Sequence, residues 1–505
     1  MKLKPFLALM LGLLLWGCAK ENIAPNNSTP KEVLSKKEIN DFVRQQLERE
    51  DRFLWSMAND QMIWSAAVLS DSIISLGYQP AQVGDISDSM HKINLKDEQW
   101  TQVKTRLIKQ VVDYTNQNYP GQNYSAADLM PFGENEFLPV INIRIWDENL
   151  ITALRNSPEI RYVEPIGYDP EEIRARDAGC DNSPASSINP ADFTTVSPNA
   201  KVPWNFYNMN IPSAWSTSTG DGVRVAVIDS GVSSSQAKLN SQFNNGLSQG
   251  RSLSKASTLI TGWWWWASNE GPNDQCGHGT AMAGLVGGPR GTTGSTTGVA
   301  YNADLLTIRA TNDVIISGSN ETNGVSDAIV MAGNTSDVKI LSMSIGSIFS
   351  SGQITDAINY TYGRGKMIIA AAGTSTSFTN WYGVIFPAWL SKTVAVTGIK
   401  EGTPLTRCNI CHSGSAVDFV APMQRRNDNS RTSLTLAMSG NSPSNISGSS
   451  AATATTAGVA ALIWATNPSM SRATVLNKMK SAASIYPSRN SQFGWGIIDA
   501  QKAVR

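Results

Sequence analysis

The chain has 505 residues, 41 basic and 41 acidic side chains, and a hydrophobic content of 41%. A formal net charge of zero argues against a nucleic-acid partner and against electrostatic recognition of an anionic surface. The length and the apolar content allow one large hydrophobic core together with a smaller second domain.

The N-terminus has the pattern of an export signal. Residues 1–17 carry two early lysines and an apolar stretch that is too short for a membrane span. The sequence Leu-Trp-Gly stands immediately before Cys18, and this ending resembles a bacterial lipobox. The resemblance implies lipidation of Cys18 and a lipid-anchored location in the bacterial cell envelope, on its periplasmic or outer face. An ordinary signal peptide cut elsewhere is the alternative. Residues 18–35 are rich in Pro, Asn and Ser, which is typical of a tether.

Residues 36–166 are predicted to form a separate, smaller α+β domain. Charged and apolar residues mix at helical spacing as far as about residue 80, and residues 96–116 predict a helix with one apolar face. The alternation in residues 138–145 predicts a strand, which is followed by a short helix and by a returning strand at 160–165. The apolar face of the long helix consists of Trp100, Val103, Leu107 and Val111.

Residues 167–201 have the composition of a linker, being rich in Pro, Ser, Asp and Asn. A bond that is cut to separate the two parts of the chain would fall in this linker, but no residue pattern fixes it. The large domain then covers 202–505. Apolar strand patterns alternate there with helices of small residues, which predicts a mainly parallel sheet with helices on both faces.

Three polar residues in the large domain stand where catalysis can be built. Asp229 ends the apolar run VRVAVID, at the carboxyl end of a predicted buried strand, where sites form in open α/β sheets. His278 lies in GHGT, before a run of small residues. Ser450 lies in a glycine-containing turn that opens another run of small residues. A serine at the start of a helix is close to unpaired backbone N–H groups, and its own N–H can face an oxyanion.

The three side chains are those that nucleophilic catalysis by serine requires. A serine hydroxyl is a weak nucleophile, so an imidazole must take its proton, and a carboxylate must hold the imidazole tautomer and stabilise its cation. The segments VAVIDSGV, GHGTAMAG and GSSAATATTAGVAAL, which contain these residues in the order Asp229, His278, Ser450, resemble the subtilisin-like serine proteases. The resemblance covers about residues 205–505.

The resemblance implies a subtilisin-like fold and a serine endopeptidase that works through an acyl-enzyme on a peptide or protein substrate. The strand–helix–strand ending of the N-terminal domain, 138–165, resembles a subtilase propeptide. That likeness implies a self-processed precursor inhibited by its own propeptide, and a monomeric enzyme is expected. One alternative is an unrelated N-terminal binding domain that stays attached. Another is a catalytically inactive pseudoprotease that binds peptides on the same strand edge.

The resemblance also implies binding residues around the serine. Ser344, Ile345 and Gly346 are expected to form an exposed edge to which a peptide adds as a strand. The oxyanion is expected to face the Ser450 N–H. Where the family usually places an oxyanion-binding asparagine, this chain has Thr374, whose hydroxyl can donate but is shorter and branched at Cβ. Asn380 is a nearby alternative donor.

The cysteines leave their pairing open. If Cys18 carries lipid, up to two disulfides can form in an oxidising envelope among Cys180, Cys276, Cys408 and Cys411. A bridge at Cys276 would brace the loop that carries His278. The stretch CNICH at 408–412 also fits a haem-attachment pattern, but a disulfide loop is favoured because haem needs space and a second axial ligand. With three histidines in the chain, we expect no metal site and no cofactor.

Four consecutive tryptophans, Trp263–Trp266, are a conspicuous aromatic cluster. They can form an aromatic rim for a substrate or a membrane. They can also pack on both sides of a strand or loop, and this second interpretation is favoured.

Overall fold

The structure is a computed structural model that describes residues 32–170, 180, 182–262, 267–375 and 383–505. The signal segment, Cys18, most of the tether, Trp263–Trp266 and Asn380 lie outside the described residues. In the part that is described, no helix is both long enough and apolar enough to cross a membrane.

The N-terminal domain combines helices with a three-stranded antiparallel sheet of order β2-β1-β3. Its helices are α1 (Lys36–Glu50), α2 (Asp60–Val68), α3 (Glu98–Asn118), α4 (Ala126–Leu129) and α5 (Glu148–Arg155). Its strands are β1 (Ile73–Tyr78), β2 (Val140–Arg144) and β3 (Ile160–Pro165). Short 3-10 helices span Trp55–Met57 and Met90–Lys92 in this domain, and Pro190–Asp192 and Ala237–Leu239 further along the chain.

Most elements of this domain lie where the sequence predicts them, with one exception. Helix α3 buries its apolar face, and β2, α5 and β3 form the predicted strand–helix–strand unit. The helical prediction is wrong for β1, which is the central strand of the sheet. All six residues of β1 are buried. A strand that is covered on both faces has no alternating pattern to reveal it.

The predicted linker differs from the structure in its second half. Residues 193–203 form a hairpin of β4 (Phe193–Val196) and β5 (Ala200–Pro203). Asp192 is buried and accepts hydrogen bonds from Arg425 Nε at 3.0 Å and from Arg431 Nη2 at 2.7 Å. Two guanidinium groups thus compensate the buried carboxylate and hold this segment on the large domain.

The large domain continues with α6 (Trp204–Asn208), α7 (Ile211–Ala214), β6 (Arg224–Asp229), β7 (Leu253–Ser257), β8 (Ile260–Thr261), β9 (Ser268–Asn269), α8 (His278–Gly287), β10 (Asp304–Arg309), α9 (Ser319–Asn334), β11 (Val338–Met343), α10 (Gly352–Gly363), β12 (Met367–Ala371), β13 (Val394–Lys400), β14 (Phe419–Gln424), β15 (Ser433–Leu436), β16 (Pro443–Ile446), α11 (Gly448–Ala465), α12 (Arg472–Ser481) and α13 (Ala500–Ala503). Seven of the described strands form a parallel sheet in the order β14-β13-β12-β11-β6-β10-β7. The predicted fold class, a parallel α/β sheet with helices on both faces, is confirmed.

The sheet separates two hydrophobic cores because successive side chains of a strand point to opposite faces. In β6, Val225 and Val227 belong to one core, and Ala226 and Ile228 belong to the other. Helices α8 and α11 pack on the first face, and α9 and α10 pack on the second. The core on the α9–α10 face continues without interruption into the core of the N-terminal domain.

The N-terminal domain docks on α10 through a buried polar cluster. Arg161 on β3 donates from Nη1 to Asp356 Oδ1 at 2.9 Å and from Nη2 to Oδ2 at 2.5 Å, and Tyr162 donates to the same carboxylate at 2.9 Å. Glu164 Oε2 accepts from the backbone N–H of Gly352 at 2.6 Å, at the first residue of α10. Burial raises the pKa of Glu164 to about 7. Glu164 is therefore a protonation-sensitive part of this interface.

We predict that docking weakens as the pH rises from about 4.5 to about 7. Between the ordinary pKa of 4.5 and the docked value of about 7, the docked state binds more protons than a separated domain whose Glu164 meets water. Hydrogen exchange of the α10 amides, corrected for intrinsic rates and measured on full-length Ser450→Ala, should therefore quicken over this range. Glu164→Gln should flatten the pH dependence. The same pH dependence in both proteins would contradict the assignment to Glu164.

Candidate active site

Asp229 is fixed at the centre of the sheet. It is the last residue of β6, which lies between β10 and β11, and it is 1% exposed. Its Oδ1 accepts from the backbone N–H of Ser230 at 2.8 Å. Its Oδ2 has no hydrogen-bond partner within the described residues. The sequence therefore delivers a buried carboxylate to the carboxyl edge of a parallel sheet, as the strand pattern predicts.

His278 meets this carboxylate from the first residue of α8. Its Nδ1 lies 2.8 Å from Asp229 Oδ1, and the residue is 2% exposed. Close packing makes this contact possible, because a Cβ on Gly279 would collide with the backbone oxygen of Gly231. The glycine after the histidine therefore allows the helix to approach the turn that follows β6.

The charges around His278 favour its protonated form. Burial lowers the pKa of the imidazole, but the charge and hydrogen bond of Asp229 and the charges of Asp274 and Asp313 raise it, and the net pKa lies above the ordinary value. These carboxylates come from β6, from the loop before α8 and from the loop after β10. The imidazole is thus held where a cation that forms on it meets negative charge.

Ser450 lies in the first turn of α11, the 18-residue helix that packs against α8. Gly448, two residues before it, has φ 86°, a left-handed conformation that suits glycine. Ser450 Oγ donates to the carbonyl oxygen of Ser344 at 3.2 Å, and Ser344 Oγ donates to the carbonyl oxygen of Ser450 at 2.9 Å. Among the described residues no hydrogen bond joins Ser450 to His278. The structure therefore brings Asp229 and His278 into direct contact and engages the serine hydroxyl with Ser344.

Thr374 lies against the turn that presents Ser450. Its Oγ1 is 3.2 Å from Ser449 Oγ, which also accepts from the backbone N–H of Gly373 at 3.1 Å. A Cβ on Gly448 would be 3.1 Å from Thr374 Oγ1. The threonine hydroxyl thus lies beside the N-terminal end of α11, where backbone N–H groups have no partner within the helix.

The predicted exposed edge at Ser344, Ile345 and Gly346 is not exposed in this structure. All three residues are buried. Gly346 donates its N–H to Val314 O at 3.1 Å, and its carbonyl accepts from Ile316 N at 2.9 Å. We call residues 314–316 the covering segment. Because this segment already uses the backbone groups of Gly346, a peptide can pair there only after the segment has moved.

Two disulfides are present among the described residues, Cys180–Cys276 and Cys408–Cys411. The first bridge joins the segment before the hairpin to the loop two residues before His278. The second closes the CNICH loop on itself, so its sulfurs are not available for haem attachment. His412 is buried there, with Nδ1 at 2.8 Å from Gly383 O. In the described part of the chain, no group of three or more His, Cys, Asp or Glu side chains is arranged to hold a metal ion.

Comparison with known proteins identifies the family. The model of the subtilase family matches residues 220–496, more than half of the chain. The chain belongs to the subtilase family. Alkaline elastase YaB of Bacillus sp. (strain YaB) is 27% identical over 444 residues, covering 86% of this subtilase and 96% of the relative. Thermitase of Thermoactinomyces vulgaris is 26% identical over 294 residues, covering 58% and 92%.

A solved structure supports the same fold. Fervidolysin from Fervidobacterium pennivorans, described as a keratinolytic enzyme related to subtilisin, superimposes with a TM-score of 0.58 at 16% identity. The match covers 86% of this chain and 60% of fervidolysin. The family match and the curated relatives together identify this subtilase as a subtilisin-like serine endopeptidase.

Sequence reasoning missed two polar residues of the site. Asp274, four residues before His278, is 1% exposed, and Ser230, directly after Asp229, is also 1% exposed. Both residues are close in sequence to His278 or Asp229, and this closeness is the signal by which they could have been predicted. A buried acid so near a histidine needs compensating donors, and these fix the loop around it.

Proposed function

We propose that this subtilase hydrolyses internal peptide bonds with Asp229, His278 and Ser450 as its catalytic triad. The observation that carries the proposal is the buried contact of 2.8 Å between His278 Nδ1 and Asp229 Oδ1. This contact leaves Nε2 as the ring nitrogen that can act as the base. The presence of Ser450 in the first turn of the helix that packs on α8 supports its role as the nucleophile.

The proposed reaction begins with a movement of the Ser450 hydroxyl. Ser450 Oγ leaves Ser344 O, gives its proton to His278 Nε2 and attacks the scissile carbonyl. The His278 imidazolium, stabilised by Asp229, protonates the leaving amine as the C–N bond breaks. A water, activated by the neutral imidazole, cleaves the resulting acyl-enzyme and restores the Ser450 hydroxyl. Because the base must be neutral, activity should rise with pH through the raised pKa of His278.

The oxyanion in this proposal is held by the Ser450 N–H and the Thr374 hydroxyl. In the described part of the chain, the N-cap residue Ser447 makes no side-chain cap bond to α11, and this supports the first donor, because the N–H groups of the first turn are left for another acceptor. The position of Thr374 Oγ1, 3.2 Å from Ser449 Oγ, supports the second. Thr374 would rotate its hydroxyl from Ser449 to the oxyanion when the substrate arrives.

The chain is further proposed to be a self-processed precursor that residues 36–166 inhibit. Trp55 of the N-terminal domain stacks on Phe349, three residues after Gly346, with the ring centroids 5.7 Å apart, and Tyr168, just beyond that domain, packs edge-on against the same ring at 5.4 Å. Asp71 accepts a hydrogen bond from Ser319, close to the covering segment. The N-terminal domain thereby holds the elements that flank the covered edge at Gly346. The alignment with alkaline elastase YaB covers a larger share of this chain than residues 202–505 could supply, so it includes part of the N-terminal domain.

A lipid anchor at Cys18 completes the proposal. The apolar leader and the Leu-Trp-Gly-Cys ending support it, as does the polar tether that follows. The enzyme would then act as a monomer, held at a membrane of the bacterial cell envelope through its lipid.

Replacing the nucleophile should abolish both activity and maturation. We expect a fluorophosphonate probe to label the parent chain, and the parent to shorten itself in the region between its two domains. Ser450→Ala should do neither, because it has no hydroxyl to attack a carbonyl or a phosphonate. Gel fluorescence and intact mass measure both outcomes. If the parent also fails to react with the probe, the inactive peptide-binding alternative replaces this proposal.

Removing the Thr374 hydroxyl should slow turnover. Thr374→Val keeps the shape of the side chain, and we expect kcat to fall by roughly 10²-fold, the order found when one oxyanion donor is removed from subtilisin itself. KM should change little, since the donor acts mainly on the transition state. Thr374→Ser, which retains a hydroxyl, is the matched control and should keep most of the activity. An unchanged kcat in Thr374→Val would remove Thr374 from the oxyanion site.

Lipidation can be tested in the producing bacterium. Metabolic labelling with an alkyne fatty acid should mark the parent and leave Cys18→Ala unmarked, because the acyl chain is expected on the cysteine that follows the signal. Equal labelling of the two proteins would point to another attachment site, and no labelling of either would favour an ordinary signal peptide.

A further inference from the structure

A second buried carboxylate organises the loop that carries His278. Asp274 Oδ1 accepts from the backbone N–H groups of Cys276 at 3.0 Å and Gly277 at 2.7 Å. Its Oδ2 accepts from Thr280 N at 2.8 Å and from Thr280 Oγ1 at 2.6 Å. These four bonds reach residues on both sides of His278. One carboxylate therefore fixes the backbone on both sides of His278.

Ser230 links this carboxylate to the strand that carries Asp229. Its Oγ lies 2.9 Å from Asp274 Oδ1 and 3.3 Å from Asp229 Oδ1, and it accepts from the Gly279 N–H at 2.9 Å. A hydroxyl has one proton, and the shorter distance assigns that proton to Asp274. The hydroxyl thus connects the end of β6, the loop before α8 and the first turn of α8.

We propose that Asp274 is a positioning residue for the proposed triad. Through the hydrogen bonds of Ser230, it orients the His278 imidazole toward Asp229. It acts through the backbone of 276–280. In the described structure, no hydrogen bond joins Asp274 to the imidazole itself. The inference rests on the proposed function, since it assigns a role in the chemistry of His278.

Position and charge act together in this role. Among the described residues, the His278 ring makes one hydrogen bond, to Asp229, so the angle of the ring depends on where the backbone of α8 begins. The negative charges that face the imidazole come from Asp229, Asp274 and Asp313, and each raises the pKa of His278. Asp274 differs from Asp313 because it also binds the loop that carries the ring.

Asp274→Asn tests the proposal on the processed enzyme. The rate of labelling by a fluorophosphonate, normalised to titrated active sites, is measured from pH 5 to 10. We expect the plateau rate to fall by roughly 10-fold to 100-fold, the scale of a small misplacement of a catalytic group. The midpoint of the acidic limb should move to lower pH, because a neutral amide no longer raises the pKa of His278. Thr280→Val is the control for charge, since it removes the hydroxyl bonds to Asp274 and from the Ser233 N–H but no charge. It should leave the midpoint in place.

The outcomes separate three cases. If Asp274→Asn only lowers the melting temperature, with plateau and midpoint unchanged per titrated site, Asp274 is a helix cap and the proposal is overturned. If Asp274→Asn fails to fold, Ser230→Ala keeps both carboxylates and removes the bridge. A reduced plateau rate in Ser230→Ala then supports the proposal, and a parental rate overturns it. If the parent itself is not labelled while the probe is active on another serine protease, the proposed triad fails instead.

Discussion

The buried contact between His278 and Asp229 is the interaction on which the proposed active site depends. Both residues are almost fully removed from water, and removing charged groups from water is unfavourable unless they are paired and hydrogen-bonded. The fold supplies the pairing by ending β6 at the middle of the sheet and by starting α8 directly beside it. Deletion of either side chain would remove the charge partner of the other in a buried site, so the two positions form one unit.

Small residues allow this unit to be assembled. Helices α8 and α11 consist largely of Ala, Gly, Ser and Thr, and both are buried along nearly their whole length. A Cβ on Gly458 in α11 would lie 2.5 Å from Val299, and one on Gly279 in α8 would meet the turn after β6. Short side chains bring the helix backbones close to the sheet and to each other. The runs of small residues in the sequence are therefore the packing requirement of the site.

The sequence predicted well whatever is encoded locally. The apolar run before Asp229 correctly predicted β6, and the motifs around Asp229 and His278 marked two residues that the structure brings into contact. The prediction failed for features that depend on contacts between residues far apart in the sequence. The central strand β1 is hidden because both of its faces are covered, and the edge at Gly346 is occupied by the covering segment. The cysteine pairing is of the same kind, because four cysteines allow three connectivities and only the fold selects one.

The first disulfide has a topological consequence for any cut that separates the two domains. Cys180 lies in the middle of the predicted linker and is bonded to Cys276, deep in the large domain. A cut on the carboxyl side of Cys180 would leave the two fragments joined by the Cys180–Cys276 disulfide, so the smaller fragment would stay covalently attached to the larger one. A cut on the amino side would leave the two fragments joined by non-covalent contacts alone. The position of one cysteine thus divides the linker into a part where a cut removes the last covalent link between the fragments and a part where their separation also requires reduction of the disulfide.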